Sequence, residues 1–298
     1  MSAAPGWSVV VPSYRSLSTI DACLRSLLEQ DVAAPPQIIV VDSSPDSTAT
    51  RVQERFPQVE LVRLPERTEA AAARNIGAGR ACGERLAFLD SDCVAPRDWL
   101  RRLESALDGY DGAGGAIANG NGESLVSWAG YLCEFREFLP GGPARDASNL
   151  TLGNVAYRRE VFLAAGGFPT GCFPQEDQVF HERLRAQRAR LRLDPSIVVT
   201  HTHRTERDEF LAHQRHIGQA NARVLDLTGG SGAALARSPL LAVLTMPALV
   251  PFRFARTLLA CLRVEHGLVV RRPRLAWLCW LGMCSWGRGF LEGAEGKP

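Results

Sequence analysis

Strand-length apolar runs alternate with helically spaced apolar residues along the first third of the chain, and this rhythm constrains the fold most. Trp7–Val11 is continuous and apolar-rich. Ile20, Cys23, Leu24, Leu27 and Leu28 then recur at i, i+3, i+4, i+7 and i+8, one face of a helix. Gln37–Val41, Val59–Arg63 and Arg85–Leu89 read as further buried strands, with an alanine-rich helical stretch, Glu69–Cys82, between the last two. Pro96 opens a helix carrying Trp99, Leu100, Leu103 and Leu107, since proline is tolerated at a first helical position. Strands buried on both faces and alternating with helices predict an α/β fold with a parallel sheet. Ligands bind such sheets outside the carboxyl ends of the strands. Pro12, Ser13 and Tyr14 follow the first strand to that edge, and Asp42 follows the second. "FLDSD" ends the fourth with Asp90 and Asp92. Two like charges this close repel, so a positive group is expected between them.

The second half reads differently. A glycine-rich patch, Gly112–Gly122, leads into an aromatic segment. There Trp128, Tyr131, Phe135 and Phe138 form a helical stripe suited to core packing. "GNVAYRREVFLAAGGF" reads as a strand and a short helix, and "PQEDQVFHERL" places acids at a helix start, where the macrodipole tolerates them. Ser196–Thr200 reads as a strand running into "HTHR". His201 and His203 alternate across it, so only one faces a site. A polar helix over roughly 206–224 carries His213 and His216 on one face, without a third metal ligand.

Several classes are excluded. The formal charge of +2 does not suit a nucleic-acid binder held by bulk charge. Lysine occurs only at position 297, followed by proline, so there is no Walker A loop. The glycines of 112–122 do not follow a strand as G-x-G-x-x-G, and "GGSGA" at 229–233 is not a nucleophile elbow. Eight cysteines without a CxxC pair read as reduced, mostly buried thiols of a cytosolic protein. The N-terminal stretch carries no leader pattern.

From Arg237 onward nine cations face three acids. The apolar runs Ser238–Phe252 and Leu275–Gly287 both fall short of the roughly 20 residues of a spanning helix. Trp beside Arg suits helices lying in a membrane interface, a peripheral contact through 238–290. The rival is a helical subdomain packed on the sheet. The expected organisation is therefore a catalytic domain over 1–235, with halves 1–118 and 119–235, and a basic, apolar helical extension over 236–298.

Six stretches, "VVVPSY", "VVDSSPDST", "AAARNIGAGRACGERLAFLDSD", "GNVAYRREVF…GGF", "EDQVFHERL" and "VVTHTH", occur in this order between about residues 7 and 203. Together they make the chain resemble the inverting glycosyltransferases of family 2. The resemblance implies a GT-A fold, a Rossmann-like, mixed but mostly parallel sheet flanked by helices, with the helical extension behind it. It implies that Asp42, Arg74, Asn75, Asp90 and Ser91, with Pro12 and Tyr14, bind the nucleotide-sugar. Asp90, Asp92 and His201 would hold Mn2+ or Mg2+, and Asp177 would be the general base, Glu176 being the alternative. Asn154, Tyr157 and Arg158 correspond to the acceptor side, or else merely join strand to helix.

A metal on hard oxygen ligands would offset the charge of a departing diphosphate, and a carboxylate would take the proton of the attacking hydroxyl. Partners so implied are a nucleotide-diphosphate sugar donor and a glycan or lipid-linked acceptor, with no nucleic acid. The work implied is cell-surface polysaccharide or glycolipid synthesis on the cytoplasmic side of the membrane. Two departures bear on the donor: Ser43 stands where a second acid is common, and Asp46 comes one place early. "QRHIG" from Gln214 lacks the processive Q-x-x-R-W signature, so addition of one or a few sugars is expected. Rival readings are a nucleotidyltransferase, whose glycine-rich basic loop "VVVPSYRS" lacks, and an inactive sugar-nucleotide-binding protein.

Overall fold

In the computed structural model, which describes residues 6–230, 232–264 and 267–295, the first apolar run forms β1 (Trp7–Ser13), buried at every residue. Ser231, Glu265, Lys297 and the start of the N-terminal stretch lie outside the described residues. β2 (Gln37–Asp42), β3 (Glu60–Arg63) and β4 (Arg85–Phe88) complete a parallel half-sheet, with β1 between β2 and β4. Helix Ile20–Leu28 buries Ile20, Cys23, Leu24 and Leu27, while Leu28, the last residue of the predicted stripe, is exposed. Helix Ala70–Arg80 lies so close to β1 that a Cβ on Gly77 would sit 2.4 Å from Val10 Cγ1. Small residues there permit the approach.

β5 (Cys93–Val94), β6 (Gly112–Asn119), β7 (Arg145–Asp146), β8 (Val155–Arg158) and β9 (Leu191–His201) extend the sheet in the order β3-β2-β1-β4-β8-β6-β9-β5, with β7 beside β9. β8 is antiparallel to β4 and β6, and β5 and β7 are antiparallel to β9. The sheet is therefore mixed, parallel on its nucleotide-like side.

The glycine-rich patch, left without an element by its sequence, is mostly the buried strand β6. Its glycines answer to close packing: a Cβ on Gly115 would lie 1.9 Å from the Ile197 carbonyl and 2.5 Å from Asn154 Nδ2. β9 is likewise longer than the Ser196–Thr200 strand read from the sequence.

The described residues group into two compact units, 1–118 with 140–201 and 119–139 with 202–298. The second is helical. Its long members are Arg207–Thr228, Pro239–Val264 and Pro273–Glu295, around a core that includes Ala222, Ala242, Met246, Trp286 and Phe290. A Cβ on Gly289 would meet the Arg215 carbonyl oxygen at 1.9 Å. Replacing Gly289 by Ala should therefore cost about 1–3 kcal/mol, read as a melting point several degrees lower. Gly79→Ala, in an exposed helical position with nothing within 4 Å, should instead leave the melting point unchanged or raise it.

One sequence expectation is overturned in this unit. Pro247 and Pro251 lie inside Pro239–Val264 and do not end it, so the run expected to stop near Phe252 continues as one helix. Over Pro239–Leu262 it is long and apolar enough, by length and composition, to cross a membrane. An interior proline removes one helical hydrogen bond and crowds the preceding turn. Both prolines are on exposed positions, while the opposite face is anchored in the core.

Candidate active site

The two acids of "FLDSD" part company. β5 pairs with β9 so that Cys93 stands opposite His201, which brings Asp92 Oδ1 to 3.3 Å from His201 Nε2. Cys93 Sγ joins them, the three ligand atoms lying within 4.8 Å of one another. Burial, with Asp92 and Asp90 nearby, holds the Cys93 thiol well above its ordinary range. Thiolates suit softer metals, whereas the oxygen donor of Asp92 and the imidazole of His201 fit Mn2+ or Mg2+.

Asp90 turns elsewhere. Its Oδ1 accepts from Arg74 Nη2 at 2.5 Å, and Arg74 Nη1 donates to Glu176 Oε1 at 3.0 Å. Of the positive charge expected beside these acids, Arg74 supplies it to Asp90, while Asp92 faces the His201 ring. Burial would lower the Arg74 pKa, but Asp90 and Glu176 outweigh it and raise it above the ordinary value. Burial raises the Glu176 carboxyl even with Arg74 beside it, and its Oε2 has no hydrogen-bond partner among the described residues. Removing Arg74 would leave the buried Glu176 carboxylate without its cation.

Asp177 opens helix Glu176–Ala186. Desolvation, then the Glu176 charge, pushes its carboxyl up to about 7 from 3.8. Its Oδ2 accepts from Asn149 Nδ2 at 3.1 Å. Asn149 Oδ1 lies 2.5 Å from His181 Nδ1, and His181 Nε2 lies 2.7 Å from the Tyr157 hydroxyl. Burial lowers His181 to about 3, so the ring is neutral with one donor. Nδ1–H donating to Asn149 and Nε2 accepting from Tyr157 satisfies both ring nitrogens. Neither Asn149 nor His181 was anticipated. His181 left a faint signal, four places after Asp177 on one helix; Asn149 left none.

The other anticipated residues divide. Asp42 is fully buried, and its carboxylate accepts from the Ser13 hydroxyl at 2.7 Å and from the Ser44 hydroxyl and backbone at 2.7 and 3.1 Å. It knits the ends of β1 and β2. Ser91 Oγ pairs with Ser16 Oγ at 2.6 Å. Pro12 is buried, while half-buried Tyr14 has Arg67 and Arg15 over its ring at 5.0 and 5.5 Å, cations the sequence reading passed over.

Asn75 turns from this group and clasps the backbone of Phe168, donating at 2.8 Å and accepting at 2.9 Å. Asn154 is fully buried and cross-links Trp99, Ala116 and Ile197 at 2.8–2.9 Å. Tyr157 is buried too, and Arg158 donates to the Tyr110 and Leu107 carbonyls at 3.0 and 3.2 Å. These last three serve the frame of the sheet. In the helical unit His203 packs 5.5 and 5.6 Å from the Tyr131 and Phe135 rings, the packing histidine of the alternating pair. His213 Nε2 lies 3.5 Å from Glu134 Oε2.

The family model described as glycosyl transferase family 2 matches residues 8–165. Glycosyltransferase AglE of Haloferax volcanii is 26% identical over 234 residues, 75% of each chain. The glucosyl-dolichyl phosphate glucuronosyltransferase of the same organism is 30% identical over 179 residues, 55% of this chain and 56% of that one. This chain therefore spans little more than half of that relative. Among solved structures, the mannosyltransferase PcManGT from Pyrobaculum calidifontis, in complex with GDP-Man and Mn2+, matches with a TM-score of 0.63 at 19% identity, covering 100% of this chain and 89% of that one. At that identity the likeness carries the fold alone.

Proposed function

The chain belongs to glycosyl transferase family 2, and on that premise we propose inverting, metal-dependent transfer of a sugar from a nucleotide-diphosphate donor to a hydroxyl acceptor. It is a glycosyltransferase of the GT-A fold. The single observation that carries the mechanistic reading is Asp177, a carboxyl raised to about 7. A general base works best with a pKa near the operating pH. Asn149 fixes the Asp177 carboxylate through its Oδ2, and in this reading that carboxylate takes the proton of the attacking hydroxyl. Attack on the face opposite the diphosphate inverts the anomeric centre and needs no enzyme nucleophile.

Asp92 and His201 would hold Mn2+ or Mg2+, which when bound would offset negative charge on the leaving diphosphate. Arg74 keeps Asp90 and Glu176 fixed and compensated. Tyr14, with Arg15 and Arg67 over its ring, offers a cationic, aromatic surface for the nucleotide. The acceptor in this reading is a glycan or lipid-linked hydroxyl in cell-surface polysaccharide or glycolipid synthesis. It gains one or a few sugars at the cytoplasmic face of a membrane. All eight cysteines are free, which supports a reducing compartment.

Anomeric configuration of the product, read by NMR after reaction with candidate sugar nucleotides and Mn2+, tests the stereochemistry. Inversion is expected, and retention would contradict the single displacement. Asn149→Ala should move the acid limb of the kcat/KM profile to higher pH, because the lost hydrogen bond lowers the Asp177 pKa. It should also lower kcat about tenfold, with donor affinity unchanged. An unmoved limb would remove Asn149 from this account.

A further inference from the structure

Helix Pro239–Val264 carries an uncovered apolar stripe. Leu240, Leu244, Phe252, Leu259 and Leu262 recur three, four, seven or eight places apart and are 70%, 67%, 59%, 60% and 44% exposed. A stripe this long on a surface helix marks an interaction face. The chain then passes through Val270, 82% exposed, to Arg271, Arg272 and Arg274, with Trp277, 60% exposed, one turn further. Arg271, Arg272, Pro273 and Arg274 line a cavity of about 300 Å3 together with Glu123 and Leu125. Arg272 and Arg274 have no carboxylate partner among the described residues, whereas Arg237, Arg256 and Arg288 are spent on Asp226, Glu137 and Glu292.

We propose that this outer face, with the arginines of 271–274 at its end, docks on the anionic phosphate surface of a lipid membrane. Its apolar side chains enter the interface without the helix crossing it. Charge decides the occupant. From Arg237 onward nine cations stand against three acids, so a second copy would bring like charge to like charge, while anionic headgroups neutralise it. The helix lies in the membrane plane because its other face is committed: Ala242 and Met246 belong to the core with Trp286, and Arg253 stacks 3.8 Å over the Trp286 ring. Apolar residues on one face and arginine and tryptophan at the margin are the pattern of interfacial helices.

The inference deepens the membrane placement proposed above, and its test reads lipid binding rather than transfer, so either can fail while the other stands. The full chain is sedimented with vesicles of phosphatidylcholine and with equimolar phosphatidylglycerol and phosphatidylcholine. Strong partition to the anionic vesicles alone, weakened by salt, is expected. Each arginine at such a surface contributes about five-fold. Replacing Arg271, Arg272 and Arg274 together by Gln should therefore cost on the order of a hundredfold.

Leu244→Glu with Phe252→Glu should abolish binding and leave the melting curve intact, since both side chains are exposed. Equal partition to both vesicle types would overturn the proposal. So would a wild-type dimer that the Leu244→Glu, Phe252→Glu variant breaks while vesicle binding is unchanged, because the face would then belong to a second copy. Protein retained on vesicles through an alkaline carbonate wash would place the helix across the bilayer and overturn it as well.

Discussion

Asp177→Asn should lower kcat by about a thousandfold, within the 10²–10⁴ range of a lost general base, while donor and metal binding persist. The substitution keeps the size of the side chain and an oxygen able to accept from Asn149. What it removes is the capacity to take up a proton. In the wild type, kcat/KM is expected to rise with pH through about 7, where the Asp177 carboxyl is placed by its burial, and the residual activity of the variant should lack that limb.

The same shift has a thermodynamic consequence of definite sign. The folded-state pKa of about 7 lies above the ordinary 3.8, so between those values the native state holds a proton that the unfolded chain has released. Stability therefore falls as pH rises through this window. Asparagine carries no such penalty. At pH 8 the variant should be more stable than the wild type by on the order of 2–4 kcal/mol, and thermal melts at pH 4 should nearly coincide. An inactive variant that also melts lower at pH 8 would mean that Asp177 is a structural residue.

Asp92→Ala is the second large effect. It removes the carboxylate that faces His201 at 3.3 Å, and with it the expected hold on a divalent ion. Loss of several kcal/mol of charge stabilisation on the leaving group corresponds to about a thousandfold in kcat/KM. Chelation of the wild type should reproduce the loss, and added Mn2+ should restore the wild type but not the variant. His201→Ala should act in the same direction and less strongly, since a carboxylate brings charge that an imidazole does not.

The parallel half of the sheet was legible because strands buried on both faces must be apolar throughout, and the acids that end β2 and β4 mark its ligand edge. β6 was not. It needs glycine where Ile197 and Asn154 press against it, and those glycines imitate a loop. The pairing of Asp92 with His201 followed from the resemblance, but the part played by Cys93 needed the register of β5 against β9. Arg74 was expected beside the nucleotide. It sits between Asp90 and Glu176, 102 positions from the latter, a contact that only the fold creates. Asn149 and His181 escaped notice for the same reason: they reach Asp177 through a buried hydrogen-bond chain anchored on Tyr157, and nothing in local spacing announces it. The apolar run that stops at Phe252 misled in the opposite direction, since the helix continues past Arg253 to Val264 with its inner face held in the core.

Manganese titration followed by loss of the free-ion electron paramagnetic resonance signal, with and without a nucleoside diphosphate, tests the central claim most directly. The account predicts a site on the folded chain that tightens with the nucleotide, disappears in the Asp92→Ala, His201→Ala double variant and survives in Asp177→Asn. Manganese bound equally well by the double variant would contradict it.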